Sequence, residues 1–259
     1  MPSHGTELCA VVESMLSLNV MHENLGDAAY ADRAERIAYN ALPGTWSSDM
    51  WGHQYLQQAN AANALHQDDH IWLADGPDAT IFGLAPNYPC CTSNGPQGWP
   101  RFVPRMVHGV PGGGLAISIL GPLTASVGGA TLTVNTEYPF GDSLDISVAG
   151  AAAGAPLLVR VPGWATKATY ALNGAAASAS ARRRSIRGGP TRLDHQLQVT
   201  LCSSKSDTAP RYVRFPPAGK RASKQRATGV SAKGSVPLRR AGARAPAPQP
   251  RNLPTAKKN

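Results

Sequence analysis

The sequence predicts an α+β, multidomain chain: a helical segment, then an antiparallel β-sandwich, then a disordered basic tail. Three observations carry this. Apolar residues recur every three or four positions as far as Leu42, then every second position from Leu115 onward. Charge is split along the chain. Residues 1–181 carry 6 Lys/Arg against 14 Asp/Glu, a balance of −8, whereas residues 182–259 carry the other 19 of the 25 bases and 2 of the 16 acids, a balance of +17. From Cys202 onward Ser, Lys, Arg, Pro and Ala dominate, a composition too poor in apolar residues to bury a core. These shifts divide the chain into residues 1–110, 111–181 and 182–259.

Residues 7–22 (ELCAVVESMLSLNVMH) predict a helix, because Leu8, Val11, Val12, Met15 and Leu16 share one face. Gly26 and Asp27 supply a turn and an N-cap. A second helix follows over 28–42, with Ala34, Ile37, Ala38 and Leu42 along one side and Pro43-Gly44 to stop it. Such a hairpin cannot bury its apolar face alone, so further elements belong beside it. Glu13, Glu23 and Glu35 read as solvated helix-surface carboxylates. Residues 45–89 form a long irregular stretch of the kind that carries function. Phe102, Val103 and Met106 suggest a short helix over 99–108, against which Pro104 argues. Five strands are then expected, over 115–120, 130–138, 143–149, 156–162 and 168–174, between Gly/Pro turns. Short strands so spaced suggest an antiparallel sandwich, with Val161-Pro162-Gly163-Trp164 as a structural corner. After Gly174 the pattern fades, and the turn to Ala, Arg, Pro and Gly suggests a misread exon or a frameshift.

No stretch approaches the roughly 20 apolar residues of a membrane span. The N-terminus does not read as a signal peptide, because Glu7 and Glu13 interrupt any basic leader. The compartment is not determined by these features. Four cysteines (Cys9, Cys90, Cys91 and Cys202) are too few for a disulfide scaffold at this length. Cys202, in the tail, is expected to be inert.

Two motifs carry the chemistry. Glu7-Leu8-Cys9 opens the first helix, and Cys90-Cys91 lies in the Pro/Gly-bounded segment FGLAPNYPCCTSNGPQGWP. Together they offer three thiolates and a carboxylate, a donor set that suits a four-coordinate zinc ion. A buried pair of free cysteines and a vicinal disulfide remain open as alternatives on spacing alone. Trp46, Trp51, His53, Tyr55, His66, His70 and Trp72 would suit a sugar site, since rings stack on sugar faces, but each also suits loop packing. Asn87, Tyr88, Asn94 and Gln97 would line any pocket at the cysteine pair.

The ordered series GTELCAVVESM, GDAAYADRAERIAYNAL, CC, LTVNTEYPFGDSLDISV, LLVRVPGWA and LNG, over roughly residues 5–175, resembles glycoside hydrolase family 127, the β-L-arabinofuranosidases. The resemblance implies that Glu7, Cys9, Cys90 and Cys91 bind zinc, with Cys90 the nucleophile of a retaining mechanism. It implies a carbohydrate partner of the L-arabinofuranoside type. It also makes residues 1–110 the C-terminal part of a barrel of helical hairpins. The family's acid/base glutamate stands upstream of Glu-X-Cys, and none of the six residues before Glu7 is acidic. Little or no activity is therefore expected of this polypeptide. Two other readings compete: a non-catalytic, zinc-stabilised carbohydrate-binding or structural remnant, and a polyanion binder. The tail, at +17, would bind nucleic acid non-specifically and with strong salt dependence.

Overall fold

The computed structural model describes residues 4–59, 61–66, 68, 75–85, 88–174, 178–179, 193–201, 211–215 and 239–240. A two-residue strand β1 (Thr6–Glu7) leads into helix α1 (Leu8–Leu25), which runs three residues beyond its expected end. Gly26 closes it in the left-handed conformation (φ 68°), its N–H bonded to the His22 carbonyl. Asp27 caps α2 (Ala28–Arg36), accepting from Ala29 N–H at 2.9 Å. The second helix then continues through a π-helical turn, Ile37–Ala41, into a last turn α3 (Leu42–Gly44). Pro43 and Gly44 thus sit inside its final turn, and the helix ends there. Leu8, Val11, Val12 and Met15 of α1 and Ala31, Ala34, Ala38 and Leu42 opposite are all buried in one cluster. No helix among the described residues is long and apolar enough to cross a membrane.

The expected helix over 99–108 is broken. After β2 (Leu56–Gln57) and α4 (Pro89–Asn94), helix α5 (Gly98–Phe102) passes into a 3-10 turn, Val103–Arg105, and then a strand, β3 (Val107–Val110). Pro104 lacks the N–H that would extend the ladder.

All five expected strands form, as β4 (Gly114–Ile117), β6 (Ala130–Thr136), β7 (Ser143–Ala151), β8 (Leu157–Val161) and β9 (Thr169–Leu172). Between the first two lies β5 (Leu123–Val127), and beyond them β10 (Ser178–Ala179), β11 (Leu193–Thr200), β12 (Arg211–Phe215) and β13 (Arg239–Arg240). One sheet has the order β10-β9-β11-β7-β6-β5, the other β12-β8-β4-β3-β13. Among the described residues, pairing is antiparallel except between β4 and β8, which run parallel in register Leu115 to Leu157, a correction to the wholly antiparallel expectation.

Strands are also described beyond Gly174. Strand β11 lies inside its sheet, Leu197 pairing with Ile146 on one side and Leu172 on the other. Its Leu197 and Val199 are buried and Gln198 is exposed, the alternation of a half-buried strand, so the sheet reaches past residue 181. Cys202 and most of the basic stretch lie outside the described residues, along with the expectations placed on them.

Strands β6 and β7 alternate strictly between buried and exposed positions. β4 is buried throughout and β8 nearly so, because α1 and α2 cover their second face. That cover is polar where it matters. Arg160 of β8 is wholly buried, forms ion pairs with Asp32 and Glu35 of α2, and donates from Nε to Ser118 O at 2.5 Å. Glu35 is therefore not the solvated carboxylate that the sequence suggests. It is 5% exposed, and it accepts from Leu120 N–H at 2.9 Å and from the Tyr138 hydroxyl at 2.5 Å. Glu23 is also largely covered, 3.2 Å from Arg105, whereas Glu13 is exposed and paired with Arg101.

His22 fastens the same junction from α1, bonding Ser118 Oγ at 3.0 Å. Burial pushes its imidazole below the ordinary value, opposed by a bond to the Asp27 carbonyl. The unfolded chain takes up this proton near pH ~6.5. Below that pH the unfolded state binds more protons than the folded one, so stability falls as pH drops from about 6.5 toward the depressed folded value. We expect a lower urea midpoint at about pH 5.5 than at about pH 7.5, with part of the difference gone in His22→Gln. Equal midpoints at the two pH values would refute the assignment.

Candidate functional site

The Glu7-Leu8-Cys9 motif is held by a change of backbone conformation. Glu7 is extended (φ −65°, ψ 144°), as the N-cap of α1. Its strand pairs with β2, Glu7 opposite Leu56, and Leu8 N–H donates to Tyr55 O at 3.0 Å. Leu8, wholly buried, anchors the helix start in the core. Glutamate is a poor N-cap, and the Glu7 side chain makes no capping bond. It lies instead beside the Tyr55 hydroxyl.

The Pro/Gly-bounded segment that holds the cysteine pair is locally helical. The pair occupies the first turn of a short helix, α4, with Pro89 at the helix start where its missing N–H costs nothing. Helical geometry points successive side chains in different directions, so Cys91 is wholly buried while Cys90 is exposed. The approach of α4 to α1 depends on Gly95. A Cβ there would stand 2.8 Å from both Leu8 Cδ2 and Trp46 Cζ2. Gly95→Ala should cost about 1–3 kcal/mol by overpacking, read from urea denaturation; a loss within error would mean that Leu8 and Trp46 yield freely.

These elements bring three sulfurs together. Cys9 Sγ is 3.3 Å from Cys91 Sγ, Cys90 Sγ is 3.9 Å from Cys91 Sγ, and all three lie within 4.8 Å of one another. A tetrahedral ion with Zn–S bonds of about 2.3 Å would set its sulfurs about 3.8 Å apart, so the donor set fits zinc. Asn94 donates from Nδ2 to Cys9 Sγ at 3.3 Å, and Gln97 bonds Asn94 Oδ1 at 3.3 Å, so both residues do flank the cluster. Glu7 is not part of the gathered trio. Burial raises the Cys90 thiol above its ordinary value, and burial with the Cys9 contact pushes Cys91 up to about 12. Such thiols are protonated and inert. A cation among them would reverse that.

The surrounding segment is more ordered than its sequence suggests. Tyr55 and Tyr88 stack with ring centroids 3.8 Å apart and planes 5° from parallel, and the Tyr88 hydroxyl donates to Asp75 O. No sequence periodicity announced that stack. His53 is buried, bonds Thr92 Oγ1 of α4 at 2.9 Å and meets the Trp46 ring edge-on, so it braces the loop. His66 is exposed and paired with Asp78 at 2.5 Å, which raises its imidazole above the ordinary value. Trp51 is 75% exposed. His70, Trp72 and Asn87 lie outside the described residues.

Comparison with known proteins bears on both halves of the chain. The family profile described as the β-L-arabinofuranosidase GH127 catalytic domain matches residues 1–103, and the one for the GH127 middle domain matches residues 117–186. Among solved structures, one described as a glycoside hydrolase has a TM-score of 0.61 at 21% identity, over 76% of this chain and 33% of its own. A GH127 β-arabinofuranosidase gives 0.59 at 16%, over 76% and 32%. A GH127 β-L-arabinofuranosidase from Geobacillus stearothermophilus gives 0.55 at 16%, over 77% and 32%. At these identities the likeness speaks to fold alone. The chain spans about a third of the length of these relatives. No curated protein matches the sequence.

Proposed function

Because this chain belongs to glycoside hydrolase family 127, we propose that Cys90 is the nucleophile of a retaining, β-L-arabinofuranosidase-like reaction, in a zinc site formed by Glu7, Cys9, Cys90 and Cys91. The observation that carries the reading is the gathering of three thiols from segments 82 residues apart, one of them open to solvent. On this reading residues 1–110 are the C-terminal part of a helical-hairpin barrel and the two sheets form a sandwich behind it.

Bound zinc would keep the sulfurs deprotonated against the upward push of burial. Cys90, the exposed sulfur, would attack the anomeric carbon: a carbon–sulfur bond forms as the bond to the leaving oxygen breaks, and that oxygen takes a proton from a general acid. Water then displaces the sulfur, and two inversions give net retention. Cysteine stands where most retaining glycosidases place a carboxylate. Cys9 and Cys91, less exposed, would hold the site, and the Asn94 amide would spread the charge on Cys9.

A leaving group that needs no proton tests the nucleophile apart from any general acid. With a 2,4-dinitrophenyl β-L-arabinofuranoside and zinc-loaded protein, intact-mass and peptide analysis should find a pentosyl adduct on Cys90. An adduct elsewhere, or one that survives in Cys90→Ser, would sink the nucleophile assignment.

A further inference from the structure

A second cleft, sharing no residue with the thiol site, opens where the second helix meets the sheets. Its volume is about 190 Å³, and Arg36, Tyr39, Asn40, Tyr138 and Trp164 line it together with the half-buried Asp32 and the buried Glu35. Three features distinguish it from a packing gap. First, Tyr39 and Asn40 reach it from the π-helical turn Ile37–Ala41, an irregularity often found at functional sites. Second, Trp164 shares the cleft wall with Tyr138, whose hydroxyl donates to Glu35 Oε1 at 2.5 Å, and Glu35 is ion-paired with Arg160. The tryptophan nevertheless remains 37% exposed. An aromatic side chain set beside a buried network and left partly open to solvent is a pre-organised stacking platform. Third, two acids, Asp32 and Glu35, stand against two bases, Arg36 and Arg160, so the site presents no net charge to a ligand.

We propose that this cleft binds a single neutral sugar residue, its C–H face on Trp164 and its hydroxyls toward Asn40 and Arg36. Sites for drug-sized ligands occupy roughly 300–1,000 Å³; this one is sized for one ring and not for a chain. Arg36 and Asn40 are exposed on the rim, where they can meet hydroxyls without disturbing the core. Binding here needs neither the thiols nor a metal, so it stands or falls apart from the reading of Cys90.

The test is titration of the 259-residue protein with L-arabinose, D-galactose and D-galacturonate, followed by calorimetry and tryptophan fluorescence. Neutral sugars should bind with Kd of about 1–10 mM, as expected for so few contacting atoms. Trp164→Ala should weaken binding at least about tenfold, and Asn40→Ala, at an exposed position, should weaken it whether or not the tryptophan variant folds. Cys90→Ser and treatment with a chelator should leave Kd unchanged. Absence of saturable binding of either neutral sugar up to about 50 mM would overturn the proposal, as would affinity unchanged in Asn40→Ala. Loss of binding in Cys90→Ser would assign the sugar to the thiol site instead. Much tighter binding of galacturonate than of galactose would overturn the neutral class.

Discussion

Replacing Arg160 by methionine should lower the folding free energy by about 3–5 kcal/mol, the largest stability loss expected from a single substitution in this chain. Methionine preserves much of the volume, so the loss would be electrostatic. Arg160 is 0% exposed, and its guanidinium meets two carboxylates and the Ser118 carbonyl. Without it, Asp32 keeps Gly163 N–H at 2.8 Å and Glu35 keeps Tyr138 and Leu120, but neither keeps a counter-charge. Burial already pushes the Glu35 carboxyl upward, with Arg160 the chief opposing influence. In the variant Glu35 would hold its proton well above the unfolded carboxylate value of about 4.3. A group whose folded value is raised gives stability that is present below the unfolded value and lost as pH rises through the folded one. The deficit of Arg160→Met should therefore be larger at about pH 8 than at about pH 5, and Glu35→Gln in the same chain should recover part of it. Urea denaturation at both pH values checks this; a loss below about 1 kcal/mol would mean that the pair is screened by water.

The strand pattern of the sequence does not reveal this network. In LLVRVP, Arg160 shares a face with Leu158 and alternates with Val159 and Val161, the mark of a strand with one wet face. Strands β6 and β7 obey that rule. β8 does not, because α2 lies on its other face, and periodicity within a strand carries no information about what covers it. Glu35 did leave a trace: it follows Ala31 by four and precedes Ala38 by three, and both alanines are buried. A carboxylate on an apolar helical stripe calls for a buried cation elsewhere. Strand β11 was hidden differently, its Leu197/Val199 alternation being separated from the other strands by an arginine-rich run.

The helices and five strands were legible because their apolar periods and their Gly26-Asp27 and Pro/Gly boundaries are local properties. The three cysteines were legible as residue types, and their meeting depends on features no spacing reveals: the β1–β2 pairing that aims Glu7-Leu8-Cys9, and the glycine at 95 that lets α4 approach. Whether Glu7 completes the set is a question of side-chain choice between a metal and the Tyr55 hydroxyl, which sequence cannot weigh.

Zinc binding decides that question and gives the largest effect on any ligand. Cys91→Ser should weaken zinc affinity by at least about a hundredfold, measured by competition with a chromophoric chelator. Cys91 is wholly buried and lies within 3.9 Å of both other sulfurs, so water has poor access to its place. Cys90 is exposed, and in Cys90→Ser a water or the serine hydroxyl can fill the position, so that variant should lose less. Asn94→Ala, removing the N–H donated to Cys9 Sγ, should cost about tenfold, the lower range for a residue that supports a ligand. Against this scale Glu7→Gln is diagnostic. A loss comparable to Cys90→Ser would make the carboxylate a ligand. Affinity unchanged in Glu7→Gln would leave Glu7 as the partner of Tyr55 and give the fourth position to solvent, the open coordination expected where a metal site also does chemistry.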